Sequence, residues 1–227
     1  MYAGSSISVA AIVEHLLNMA RDLEDLAHLA WRLSSQSPEA EVLEKTYRQE
    51  VVTKKDKIEE MKSKLFEYMA SGRIEVVEHS SFYLTIAISL ERAAQSLDAA
   101  IYRMLLFTSI AKSQGAEALA QVSGLFSSMR EALNHLSSAL RVVQNMSGAN
   151  RDQYKMLDQR VARVKVAEDD ADKLYRKVMA YALEMYRGDC SLLVALKDLA
   201  DSAENAMDYI AEAGDYVRAL GVSIYSR

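Results

Sequence analysis

The stretch SLLVALKDLADSAENAMDYIAEAGDYVRAL, residues 191–220, repeats apolar side chains every seven positions. An earlier stretch has the same spacing, with Leu90, Leu97 and Met104 at its repeating positions. A repeat near 3.5 residues keeps one helix face against a neighbour and favours left-handed antiparallel packing. Both stretches are therefore predicted to be long helices of a bundle. The heptad members of the first stretch are Leu196, Ala203, Ile210 and Val217.

The composition extends this prediction to the whole chain. Half of the 227 residues are apolar, and there are one proline and eight glycines, so turns must be few. Good helix formers dominate, which predicts an all-α fold. The breaks leave six long helices, predicted at residues 8–33, 39–70, 75–112, 116–145, 152–186 and 191–220.

The second half of the chain resembles the first at a shift of 113 positions. The shift places Met61 on Leu174 and Glu91 on Glu204, and it runs from the second predicted helix into the third without a gap. Repeats of this kind usually fold as similar stacked units. We predict two tandem three-helix bundles, residues 1–113 and 114–227, built from six antiparallel helices.

Charge and cysteine content exclude several classes of protein. The net charge of −5 argues against nucleic-acid binding, which needs a basic surface. The single cysteine, Cys190, excludes an internal disulfide and a cysteine-rich metal site. No apolar run approaches the length of a membrane span, so the chain is not expected to cross a membrane. A cytoplasmic location is expected.

One face of the last helix is strongly acidic. At 100° per residue its five carboxylates fall within an arc of about 80°, opposite the heptad side chains. Such a stripe is usually a solvated face, but solvated helices normally intersperse Lys or Arg for pairing. A multivalent cation with a preference for oxygen ligands would relieve the repulsion. The stripe consists of Asp201, Glu204, Asp208, Glu212 and Asp215.

Two short motifs resemble the PhoU family of phosphate-transport regulators. The segment from Glu204 to Asp208 is similar to that family's Glu/Asp-x-x-x-Asp motif, and Leu90-Glu91-Arg92-Ala93-Ala94-Gln95 is similar to its Leu-Glu-Arg-x-x-Asp. The resemblance implies two three-helix bundles with one motif each and a surface that can hold metal clusters. Gln95 replaces an acid of the family motif with a neutral ligand, so the first site is expected to bind metal more weakly, and Asp98 lies near enough to substitute.

A second acidic patch begins the middle helix of each repeat. Asp169 and Asp172 correspond to Asp56 and Glu59 at the shift of 113. By the resemblance, these carboxylates would supply ligands to the metal from the neighbouring helix. The alternative is a charged surface with local partners, such as Asp172 with Arg176.

The function that the resemblance implies is regulation of phosphate homeostasis without catalysis. The partners would be a membrane phosphate transporter or its signalling partner, and the metal iron, zinc, magnesium or manganese. Long helices with many Ala, Met and Tyr positions favour a homodimer. The alternatives are a metal-dependent enzyme or storage bundle that uses the same acidic stripe, and a helical scaffold without metal. The Glu-x-x-His spacing of di-iron carboxylate enzymes does not occur in the sequence.

Overall fold

The computed structural model describes residues 9–70, 79–146 and 150–226, and the chain there is helical with no strand. A π-helical turn (Tyr47–Val51) joins the second and third helices into one continuous rod, and a 3₁₀ turn (Lys112–Gly115) precedes the fifth. The described chain therefore forms six rods, three in each half. The helices are α1 (Val9–Gln36), α2 (Ala40–Thr46), α3 (Val52–Ala70), α4 (Ser80–Ala111), α5 (Ala116–Gln144), α6 (Arg151–Tyr186) and α7 (Cys190–Tyr225).

The ends of these helices follow local signals in the sequence. The side chains of Asn150 and Asp189 each accept hydrogen bonds from two backbone N–H groups in the first turns of α6 and α7. Such caps satisfy donors that have no partner within the helix. The predicted start of the third helix at residue 75 lies outside the described residues. Within the described residues, His79 has a φ of 76° and α4 begins at Ser80.

Packing places α4 along α7 and α1 along α5 in the most extensive contacts between the two halves. The rod ending in α3 covers α1 and α4, while α6 covers α5 and α7. Alanines such as Ala94 and Ala203 are fully buried and let the central helices approach closely. The heptad positions Leu196, Ile210 and Val217 are also fully buried, as predicted. The predicted all-α fold is confirmed.

Both halves contribute to a single apolar core. The predicted boundary between residues 113 and 114 falls in the 3₁₀ turn, where Lys112 has a φ of 51°. Because the core crosses this boundary, the division into two units stays a prediction. Within the described ranges, no helix combines the length and the apolarity that crossing a membrane requires.

Candidate functional site

The acidic stripe on α7 divides into members with different surroundings. Asp201 accepts a hydrogen bond of 2.9 Å from the Tyr175 hydroxyl and forms an ion pair with Lys197, one turn earlier. Glu212 accepts a hydrogen bond of 2.9 Å from Ser89 on α4. Each of these two carboxylates therefore already has a partner within the protein.

The other three acids of the stripe are Glu204, Asp208 and Asp215. Asp215 is exposed on the outer face of α7. Glu204 and Asp208 lie one helical turn apart and face α6. Two acids of α6, Glu168 and Asp172, act on them across the helix pair. We call Glu168, Asp172, Glu204 and Asp208 the acidic quartet.

The surroundings of Glu204 and Asp208 disfavour their ionisation. Desolvation raises the pKa of Glu204, and the charges of Asp208 and Asp172 raise it further. Desolvation also raises the pKa of Asp208, reinforced by Glu168 and Asp172. A cation bound between such carboxylates would offset their mutual repulsion and stabilise their charged forms.

Direct ion pairs involve only the α6 members of the quartet, although the charge of Lys165 also partly offsets the raised pKa of Asp208. Lys165 pairs with Glu168, and an Arg176 amine lies 3.8 Å from Asp172. The second of these is the local partner that the sequence suggested. In the described part of the chain, no Lys, Arg or His nitrogen lies within 4 Å of a carboxylate oxygen of Glu204 or Asp208.

The donor set of the quartet suits a hard cation because all of its ligands are carboxylate oxygens. The four carboxylates are not close enough together to form a ligand set. Residues 9–70, 79–146 and 150–226 contain no group of three or more His, Cys, Asp or Glu side chains placed to hold a metal ion. Binding of a cation would therefore require the four side chains, two on α6 and two on α7, to move closer together.

One member of the quartet, Glu168, was not predicted from the sequence. The predicted residue was its neighbour Asp169, which is exposed and lies 4.0 Å from Lys165. The side chain of Glu168 is only 13% exposed, and its charge raises the pKa of Asp208 on α7. Glu168 stands four residues before Asp172, so the helical period puts these two on one face. That spacing groups Glu168 with Asp172, but it does not indicate that their shared face meets α7.

The corresponding positions of the first half carry a different charge. The shift of 113 maps the quartet onto Lys55, Glu59, Glu91 and Gln95. Four acids thus become two acids, one amide and one lysine, and the formal charge changes from −4 to −1. The predicted weakness of the first site at Gln95 is accompanied by a second substitution, Lys55, that sequence analysis did not consider.

Lysines of α3 neutralise the acids of the first half. The Lys55 ammonium lies 2.7 Å from Asp56 and 3.8 Å from Glu59. Glu91 is buried, accepts a hydrogen bond from Gln95, and lies 3.3 Å from the Lys62 ammonium. Lysine ammonium groups therefore already lie beside these acids, and metal binding by Asp56, Glu59, Glu91, Gln95 and Asp98 stays a prediction.

Asp98 lies apart from these ion pairs. It lines a groove of about 400 Å³ with Tyr47, Tyr102 and Arg103. Burial and the Asp98 carboxylate together raise the pKa of Tyr47 to about 12. The structure thus places Asp98 beside an aromatic pair, and its charge also acts on Lys55.

Comparison with known proteins finds a structural likeness but no sequence match. No protein-family model matches the chain, and no curated protein matches its sequence. The fold is similar to the crystal structure of PhoU from Pseudomonas aeruginosa, with a TM-score of 0.68 and 14% sequence identity. The match covers 92% of this chain and 94% of that one. At this identity the likeness shows a PhoU-like fold.

Proposed function

We propose that this protein is a non-enzymatic regulator of phosphate homeostasis that binds a metal ion at the acidic quartet. The PhoU-like fold, which extends over almost the full length of both chains, is the observation that carries this proposal. The regulator would work in the cytoplasm by binding a membrane phosphate transporter or its signalling partner. Self-association as a homodimer belongs to the same proposal.

The quartet supports the metal part of the proposal through its charge. Glu204 and Asp208 are partly desolvated, repel each other, and have raised pKa values. A divalent or ferric ion would supply the positive charge that the protein gives to the first half through Lys55 and Lys62. We propose that Glu168, Asp172, Glu204 and Asp208 hold this ion, with Asp201, Glu212, Asp215 and Asp169 as further ligands at its edge.

Metal analysis of purified protein tests the quartet directly. The variant Glu204→Gln with Asp208→Asn should lose the bound metal and the thermal stabilisation that added Mn²⁺ or Fe³⁺ gives the wild type. A matched control, Asp170→Asn with Glu184→Gln, removes two exposed acids of α6 and should retain both. Equal metal content in the wild type and the quartet variant would contradict the proposal.

Transplanting the quartet gives a complementary test. Lys55→Glu with Gln95→Asp reproduces in the first half the four acids of the second, with Glu59 and Glu91 already present. The variant should bind one additional equivalent of metal and should be less stable than the wild type when metal is removed. No additional binding would mean that four carboxylates on this scaffold do not suffice for a site.

The regulatory role requires a test in the host. Deleting the gene should change phosphate uptake or the expression of phosphate-starvation genes, and re-expression of the wild-type chain should restore both. Cross-linking in those cells should recover a phosphate transporter or its signalling partner. The enzyme or storage alternative predicts turnover by the metal-loaded protein in oxidase and hydrolase assays, or many metal ions per chain, and an unchanged phosphate response.

A further inference from the structure

A groove of about 770 Å³ between α5 and α6 has a cationic lining that the proposed metal site does not use. This volume is within the range of small-molecule sites. The groove contains two arginines, a histidine and a glutamine, but no carboxylate. It is lined by His135, Met156, Gln159, Arg160, Ala162 and Arg163.

The two arginines of this groove lack ionic partners. In the described residues, no carboxylate oxygen lies within 4 Å of a guanidinium nitrogen of Arg160 or Arg163. They are three residues apart on one helix, which puts their side chains on neighbouring turns of one face. His135 faces them from α5, and its Nε2 lies 3.9 Å from Glu131. The donors of both arginines are therefore available on one concave surface, with the His135 ring beside them.

The fold itself does not require these cations. The shift of 113 maps Gln159, Arg160 and Arg163 onto Thr46, Tyr47 and Glu50. In the first half the Tyr47 ring packs against that of Tyr102, and a Glu50 oxygen lies 3.9 Å from Arg32. At this shift the first half therefore has an aromatic and an acid in place of the arginines, on backbone that winds as a π-helix rather than as the α-helix of α6. Packing alone gives no reason for two unpaired arginines on a protein with a net charge of −5.

We propose that this groove binds a small molecule carrying a multiply charged oxyanion, either a phosphate or a polycarboxylate group. Arginine presents planar pairs of N–H donors that match such oxygens bidentately. His135 and Gln159 donate from the sides, while Met156 and Ala162 give the groove an apolar part. The groove contains no member of the acidic quartet, so this proposal does not depend on metal binding there.

Calorimetric titration at constant ionic strength tests the groove on protein from which metal has been removed, because the two ligands, pyrophosphate and citrate, also bind metal ions. Chloride is the reference anion. Arg160→Gln with Arg163→Gln should weaken binding by about tenfold or more, because charged hydrogen bonds are lost. The matched control is Lys177→Gln with Arg187→Gln, which removes the same net charge from exposed positions of α6 and the turn after it. It should change affinity by less than about twofold.

The two ligands distinguish the sources of the oxyanion. Tighter binding of pyrophosphate indicates a phosphate-bearing ligand, and tighter binding of citrate indicates a polycarboxylate. His135→Gln should weaken the favoured ligand while leaving both arginines in place. If the groove variant and the control weakened binding equally, the effect would come from net charge alone and the proposal would be wrong. It would also be wrong if neither ligand bound more tightly than chloride.

Discussion

Replacing Lys62 by methionine would test whether a lysine does in the first half what a metal ion is proposed to do in the second. The substitution keeps the length and apolar stem of the side chain but removes its charge. Glu91, which is only 6% exposed, would then keep Gln95 as its hydrogen-bond partner and lose its ion pair. We expect the folded state to be destabilised.

The distance between Lys62 and Glu91 sets the size of the effect. At 3.3 Å and an effective dielectric constant of about 20, the Coulomb energy is about 5 kcal/mol before any desolvation is subtracted. Exposed ion pairs contribute about 1 kcal/mol or less, and breaking a fully buried pair costs about 3–5 kcal/mol. The side chains here are 24% and 8% exposed, so the pair lies between these cases. We expect a loss of about 2 kcal/mol.

Urea and thermal unfolding measure this loss. For a chain of this size, 2 kcal/mol corresponds to a decrease of roughly 4–8 °C in the unfolding midpoint. The double variant Lys62→Met with Glu91→Gln should recover at least half of the stability, because neutralising both partners leaves no unpaired charge. The cycle of single and double variants isolates the pair from other effects of each substitution.

Lys64 provides the matched control for this experiment. It lies on the same helix and pairs with Glu60 at 2.6 Å, but both side chains are largely exposed. Lys64→Met should leave the unfolding midpoint almost unchanged. If Lys62→Met has no larger effect than Lys64→Met, or if Glu91→Gln gives no rescue, then Lys62 does not neutralise a buried charge.

Two further predictions concern pH and packing. Because their pKa values are raised in the folded state, Glu204 and Asp208 favour folding most when protonated, and that contribution is lost as the pH rises through the folded pKa values. In metal-free buffer, Glu204→Gln with Asp208→Asn should therefore unfold at a higher temperature than the wild type near about pH 7, and the difference should shrink towards about pH 4; a difference independent of pH would contradict this. A Cβ at Gly221 would lie 1.9 Å from Leu157 Cδ2, so Gly221→Ala should cost about 1–3 kcal/mol in urea unfolding. Gly188→Ala, with nothing within 4 Å of the added atom, should cost little, and equal losses in the two variants would show that the packing at Gly221 is not the cause.

Most of the helical architecture follows from local sequence. The caps at Asn150 and Asp189, and the heptad that includes Ile210, depend on residues within a few turns of each other, so they could be predicted. The π-helical turn at Tyr47–Val51 could not be predicted, because its sequence carries no break. The left-handed backbone of His79, with a φ of 76°, likewise has no signal in the periodicity of the sequence.

The sequence alone determined that Glu204 and Asp208 share a helix face, since the period of an α-helix is fixed by its backbone. Only the tertiary structure decided that Glu168 faces them while Asp169 faces solvent. It also decided that, within the first half, Lys62 on α3 reaches Glu91 on α4. The rotation and register of one helix against another depend on the packing of all side chains along their contact, many of them distant in sequence. A small rotation of α6 exchanges the acid that meets α7, and local spacing contains no information about that rotation.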